Sequence, residues 1–244
     1  MIRLHHNQGI TTMTLNRPSK RNALSLELIE AMHDKLDEVE RDEAMRVFIL
    51  AGEGRPFCAG MDLKGVIDDP VKMKEMLRRL SEVTKRIRCL PVPTIATVQG
   101  AAVGGGCGLM VVCDFAFTHP GAKVGYPEVD LGVCPAVVAP WLIKKLGAGK
   151  ARAMLLAGGT MSGQQGFEAG LATHLCDQDV LLESVETFAL NLARGGRGAM
   201  ATTKKWLNEL DGSLDNDVLR RAADLSAEII AGEEAQARLK PLYS

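Results

Sequence analysis

A charge excess of either sign is missing from this 244-residue chain: 29 Lys and Arg against 30 Asp and Glu leave a net charge of −1. No general field therefore draws nucleic acid or an acidic membrane surface to it. No apolar run approaches the roughly 18 residues of a membrane span, and the opening MIRLHHNQGITTMTL lacks the apolar core of a signal peptide. The six cysteines (Cys58, Cys89, Cys107, Cys113, Cys134 and Cys176) include no Cys-x-x-Cys pair, and several stand among apolar residues. Reduced, buried thiols in a cytoplasmic protein are the expectation. The five histidines show no metal-ligand spacing. His5-His6 is expected to be a solvated pair at a mobile terminus, and no metal site is expected.

Two phosphate motifs are missing as well. A dinucleotide fingerprint starting at Gly104 needs Gly or Ala where Leu109 stands, and a P-loop needs Ser or Thr where Ala151 follows Gly149-Lys150. With 46% hydrophobic and 24% charged residues the composition is that of a globular protein, long enough for one large domain or two small ones.

What is present centres on Gln99 to Asp114, QGAAVGGGCGLMVVCD. A strand-like run, Thr94 to Val98, breaks into glycines and re-forms as an apolar helix. A helix start leaves backbone N–H groups free, and the helix dipole favours negative charge there. Glycine removes the β-carbon and lets another molecule approach. The site suits a bound anion or an oxyanion that develops during a reaction. The same glycines would also serve a plain helix–strand packing contact.

Along the chain, Ile10 to Leu15 alternates as a strand, and the loop NRPSKRNA carries Lys20 and Arg21. Leu26, Ile29, Met32, Leu36 and Val39 predict an amphipathic helix to about Asp42, capped by Ser25. Val47 to Leu50 is a short strand, and the loop AGEGRPFCAGMDL follows it. Asp68-Asp69-Pro70 predicts a helix start, with the helix reaching about Arg88. Phe115 to Thr118 and Ala122 to Tyr126 read as two strands joined by a Pro120-Gly121 turn, followed by Pro127, Glu128 and an apolar helix near 137–146. From Ala148 on, helices are expected near 150–157, 163–170, 180–194, 199–209 and 215–231. The first half thus repeats a strand-strand-helix rhythm.

Four motifs, LNRPSKRNAL, FCAGMDL, VQGAAVGGGCGL and YPEVDLGVCPA, stand in this order. Together they resemble the enoyl-CoA hydratase/isomerase (crotonase) family over about Leu15 to Leu146. The resemblance implies an α/β fold, a spiral of stacked strand-strand-helix turns over residues 1–190. A helical C-terminal region, 191–244, would serve oligomerisation and closure of the acyl-CoA site. It also implies thioester chemistry through an enolate. Two backbone N–H donors, from Met61 and Gly105, would hold the developing oxyanion. Lys20, Arg21, Ala23 and Ala59 would border the CoA moiety. Gly104, Gly108, Asp130 and Val133 would lie close to the reacting acyl group, with further pocket residues expected at 65–85 and from Val133 to Trp141. The coenzyme A thioester is the substrate, and no cofactor is implied. Homotrimers or dimers of trimers are the family's habit.

The family's hydratases use two glutamates. Glu128 matches the second, in the Pro-Glu motif, whereas the first falls on Gly108. Two carboxylates can hold and deprotonate a water. One base suffices to move a double bond, by taking a proton from C2 of a 3-enoyl-CoA and returning it at C4. The resemblance therefore favours a Δ3,Δ2-enoyl-CoA isomerase. A hydratase of unusual design, with Asp130 or a water in place of the lost carboxylate, and a non-catalytic CoA-binding member are the alternatives. Dienoyl-CoA isomerases carry a further aspartate where Ala136 stands. Asp62 is expected to cap a turn, and Asp114 to end its helix.

Overall fold

The computed structural model describes residues 1–243. Strands β1 (Ile2–Asn7) and β2 (Ile10–Leu15) pair antiparallel across Gln8-Gly9. His5 and His6 are strand residues facing Thr12 and Thr11 in this ladder, so the expected mobile terminus is a sheet edge. Helix α1 (Leu26–Arg41) starts where the Ser25 hydroxyl accepts from the Leu28 N–H, and it buries Leu28, Ile29, Met32, Leu36 and Val39, with Leu26 partly exposed at its start. Next come β3 (Val47–Gly52) and α2 (Pro70–Cys89), whose first turn is capped by the Asp69 carboxylate. Strands β4 (Thr94–Val98) and β5 (Ala101–Val103) lead into α3 (Gly105–Val112). Strands β6 (Phe115–Thr118) and β7 (Lys123–Gly125), then α4 (Ala139–Leu146) and α5 (Ala148–Ala157), continue the chain. After β8 (Thr160–Ser162), α6 (Gly163–Ala169) and β9 (His174–Leu175), the remainder is helical: α7 (Leu181–Ala193), α8 (Arg197–Leu210), α9 (Asn216–Ala231) and α10 (Glu233–Tyr243).

A six-stranded sheet in the order β1-β2-β3-β4-β6-β9, parallel from β2 onward, stands beside a three-stranded sheet β5-β7-β8. The turns β4-β5-α3 and β6-β7-α4 each give one strand to either sheet, whereas β1, β2 and β3 lie in the large sheet alone. Strand β3 is apolar and mostly buried, and β4 is buried at every position, with Thr94 and Thr97 among its residues, because both of their faces are covered. The turn at Pro120-Gly121 does not close a hairpin. It carries the chain out of one sheet and into the other, where β7 pairs with β5 and β8.

All eight residues of α3 are buried, as suits a helix apolar on every side. The main core surrounds it. A second core lies on the opposite face of the large sheet, where α7 sets Leu181, Val185 and Ala189 on Val47, Ile49, Ile95 and Phe117. The boundary expected at residue 190 therefore falls inside the last turn of a core helix. None of the described helices is long and apolar enough to cross a membrane.

The later helices are tied back to the site. Helix α9 lies along α2, and α8 buries Lys204, whose Nζ donates to the Asp114 carboxylate (2.7 Å) and the Val92 carbonyl (2.9 Å). Asp114 also accepts from the Thr94 N–H at 2.8 Å, so it joins the end of α3 to β4 and α8. Lys204→Met keeps the stem but leaves this carboxylate with only the more distant Arg88, at 3.8 Å, as a cation. Its unfolding midpoint in urea should fall at unchanged m, a loss of roughly 2–3 kcal/mol.

Candidate active site

Gly104 precedes α3 with φ 55° and ψ −122°, a conformation that side chains rarely tolerate. Its N–H donates to the Gly125 carbonyl at 2.8 Å, which ties the start of α3 to β7. A β-carbon at Gly104 would stand 2.9 Å from Oε1 of Glu128. The carboxylate thus rests directly on the glycine backbone. The Gly105 N–H, in the first turn of α3, donates to no described residue.

Met61 approaches from the other side. Gly60, at φ 99°, turns the loop so that Leu24 and Met61 form a single parallel bridge. That bridge uses the N–H groups of Leu24 and Asp62, each at 2.8 Å, and leaves the Met61 N–H with no acceptor among the described residues. The Met61 sulfur is 3.2 Å from where a β-carbon on Gly105 would sit. Two unengaged backbone donors therefore border one small space.

Glu128 opens a 3-10 turn, Glu128–Leu131, that is held at three points. The Tyr126 N–H donates to Gly159, the Val133 N–H donates to the Glu128 carbonyl, and the Asp130 carboxylate accepts from the Gly159 N–H at 2.8 Å. Oε2 of Glu128 is buried without a hydrogen-bond partner. Burial pushes the Glu128 carboxyl up to about 7, against a smaller lowering by its own backbone N–H. A carboxylate with that affinity can both take and return a proton near neutral pH.

Met61, Gly105, Glu128 and Val133 line one cavity of about 50 Å³. The wall is otherwise mainly apolar, with Leu77 and Leu80 from α2 and Val137 and Val138 ahead of α4. These four fall in the segments where pocket residues were expected. Ser226 and Ile230 from α9 complete it, and the Ser226 hydroxyl is engaged with the Cys134 carbonyl at 3.0 Å. Glu128 is the only carboxylate among the described residues that line it.

Two residues expected near the acyl group lie elsewhere. Asp130 is turned away to the Gly158-Gly159 backbone, which it caps. Gly108 is screened from the cavity by Val138, whose Cγ1 is 2.6 Å from the position of a β-carbon on Gly108. Asp62 does cap a turn: it accepts from the Lys64 N–H (3.3 Å), and Arg17 pairs with it at 3.1 Å.

Lys20, Arg21, Ala23 and Ala59 are brought together beside Met61. The Ala59 N–H donates to the Arg21 carbonyl (3.1 Å), and the Ala23 carbonyl accepts from Arg17 (2.9 Å). Lys20 and Arg21 are exposed and pair with no described acid. The loop owes its shape to Asn22. Asn22 is wholly buried at φ 54°, and its amide bridges Arg17, Glu53 and Pro56. All six cysteines are free, and burial pushes the thiols of Cys58, Cys107 and Cys113 up to about 12.

The sequence profile of the enoyl-CoA hydratase/isomerase family matches residues 5–239, and the chain belongs to that family of enzymes acting on acyl-CoA. Among its relatives is the 1,2-epoxyphenylacetyl-CoA isomerase of Escherichia coli, 32% identical over 96% of this chain and 91% of its own. The 2,3-dehydroadipyl-CoA hydratase of the same organism is 31% identical over 83% of this chain and 79% of its own. A solved enoyl-CoA hydratase from Mycobacterium avium superposes with a TM-score of 0.88 at 28% identity, covering 99% of this chain and 95% of that one. An enoyl-CoA hydratase/isomerase from Mycobacterium paratuberculosis reaches 0.90 at 24% identity over 98% and 97%, a likeness of fold alone. The fold is that of the crotonases.

Proposed function

We propose that this protein is a Δ3,Δ2-enoyl-CoA isomerase with Glu128 as its single acid/base. The observation that carries the reading is that the cavity holds one carboxylate, unpaired and with its affinity for protons raised to about 7. Glu128 takes the proton from C2 of a 3-enoyl-CoA. The electron pair moves onto the thioester oxygen, which accepts from the N–H groups of Met61 and Gly105. The enolate then collapses with the double bond between C2 and C3, and Glu128 delivers the proton to C4. Each such donor typically contributes about 2.7–4 kcal/mol of transition-state stabilisation. Lys20 and Arg21 face the CoA phosphates, with Ala23 and Ala59 along the same rim. No cofactor enters this scheme.

Incubation with a 3-enoyl-CoA and, separately, a 2-enoyl-CoA tests the reading. The expected result is interconversion of the two, unaffected by a chelator, with little 3-hydroxyacyl-CoA. Dominant 3-hydroxyacyl-CoA would make the protein a hydratase, the activity that several relatives' names carry. Absence of any turnover, with binding retained, would make it a non-catalytic CoA-binding member. Assembly into trimers accords with the apolar groove of about 640 Å³ that exposes Ile143, Leu156, Leu225 and Ile229. Light scattering should give a mass that is a multiple of three chains.

A further inference from the structure

The base and one oxyanion donor sit on two irregular segments, 128–132 and 60–68, which are far apart in sequence and share no strand ladder. Helix α10 touches both. Towards the Glu128 turn, Arg238 donates to the Asp130 carbonyl at 3.1 Å, and Gly132 lies against Ala235 closely enough that a β-carbon would meet its Cα at 3.4 Å. Towards the Met61 loop, the Gln236 amide donates to the Ile67 carbonyl at 3.1 Å, and Lys240 pairs with Asp68 at 2.9 Å. Tyr243 reaches furthest, donating from its hydroxyl to the carbonyl of Met61 itself at 3.2 Å.

We propose that Tyr243 is a positioning residue for catalysis: by holding the Met61 carbonyl from α10, it sets where the Met61 N–H stands relative to Glu128. The proposal rests on the reading of Met61 as an oxyanion donor. Arg238 and Tyr243 are five residues apart, about 7.5 Å along a helix. One helix, with Pro241 between these two contacts, therefore spans the two segments whose spacing the reaction depends on. The Met61 segment needs such a hold. Its bridge to Leu24 is a single pair, Gly60 adopts a positive φ, and the seven residues from Leu63 to Asp69 have little regular structure before α2. Burial, with the Asp62 charge, raises the Tyr243 pKa, so its hydroxyl remains a donor. Preorganisation is what such a contact supplies, since an oxyanion donor displaced by about 1 Å can cost as much as ~10² in rate.

Tyr243→Phe keeps the ring and removes the hydroxyl. The expected result is a fall of about 5–20-fold in kcat with KM changed less than about two-fold, the signature of a contact that matters mainly in the transition state. A spectroscopic readout separates positioning from general stability. Infrared difference spectra of bound butyryl-CoA, ¹³C-labelled at the thioester carbonyl, report the field of the donors on that oxygen. In the wild type the stretch should move to lower frequency than in water, and in Tyr243→Phe part of that displacement should be lost. Equal displacement and equal kcat in the two proteins overturn the proposal, even if the variant melts at a lower temperature. A wild-type carbonyl that is not displaced at all overturns the assignment of Met61 and the proposal with it.

Discussion

Glu128→Gln should lower turnover of a 3-enoyl-CoA by at least about 10²-fold while leaving the affinity for a saturated acyl-CoA within about a factor of two. Glutamine has the size of glutamate and fits the same shelf on Gly104, but it cannot take a proton from C2. A mere wall residue would be replaced at little cost, so retention of nearly full activity would remove Glu128 from the mechanism. The pH profile adds a second check. The base must be ionised to act, so kcat/KM in the wild type should rise with pH through a limb near 7. Any residual activity of the variant should lack that limb.

The same carboxyl makes a prediction about stability, with the opposite sense. Its affinity is raised from 4.5 to about 7 in the folded protein, so folding favours its protonated form. Its contribution to stability is complete below the unfolded value and is lost as pH rises through 7. A span from 4.5 to about 7 is worth about 3 kcal/mol at most. Glu128→Gln should therefore gain stability over the wild type between pH 5 and pH 8, the gain being read from denaturant midpoints at the two values. A carboxyl whose proton affinity is raised by burial thus costs the fold stability near neutral pH.

The parts of this molecule that could be read from sequence are those with local causes. Helices α1 and α9 begin and end within a residue or so of expectation because caps and a 3.6-residue apolar period mark them. Glu128, Gly105 and Met61, which come from three separate motifs, line one cavity. Strands β8 and β9, of three and two residues, are too short to show a period. Asp130 and Gly108 failed for a different reason: what a side chain faces is decided by its neighbours across space. Gly159 supplies the N–H that turns Asp130 away, and Val138 fills the space in front of Gly108. Tyr243, 182 positions from the carbonyl it holds, carries no local mark of its role.

Val138 also determines what a carboxylate at position 108 can do. Gly108→Ala should destabilise the protein even though alanine favours a helix by ~1 kcal/mol over glycine. Its β-carbon would lie 2.6 Å from Cγ1 of Val138, a buried β-branched side chain with little freedom to turn. Overpacking of this kind costs about 1–3 kcal/mol. Gly108→Glu adds an ionisable group to an apolar wall, a further cost of several kcal/mol unless water or a donor meets it. The single variant should therefore be the least stable substitution considered, with its carboxyl protonated and no gain in hydration. Val138→Ala in the same chain removes the obstructing methyls and opens position 108 to the cavity opposite Glu128. Two carboxylates would then border the space for one water. Hydration of a 2-enoyl-CoA should rise at least about ten-fold relative to double-bond migration, with Val138→Ala alone as the control. The like charge should also push the Glu128 limb of the pH profile above 7. A folded double variant that shows this displaced limb and still forms no 3-hydroxyacyl-CoA would mean that hydration is blocked by something other than the missing carboxylate. A wild type that hydrates as fast as it isomerises would remove Gly108 from the choice of reaction altogether.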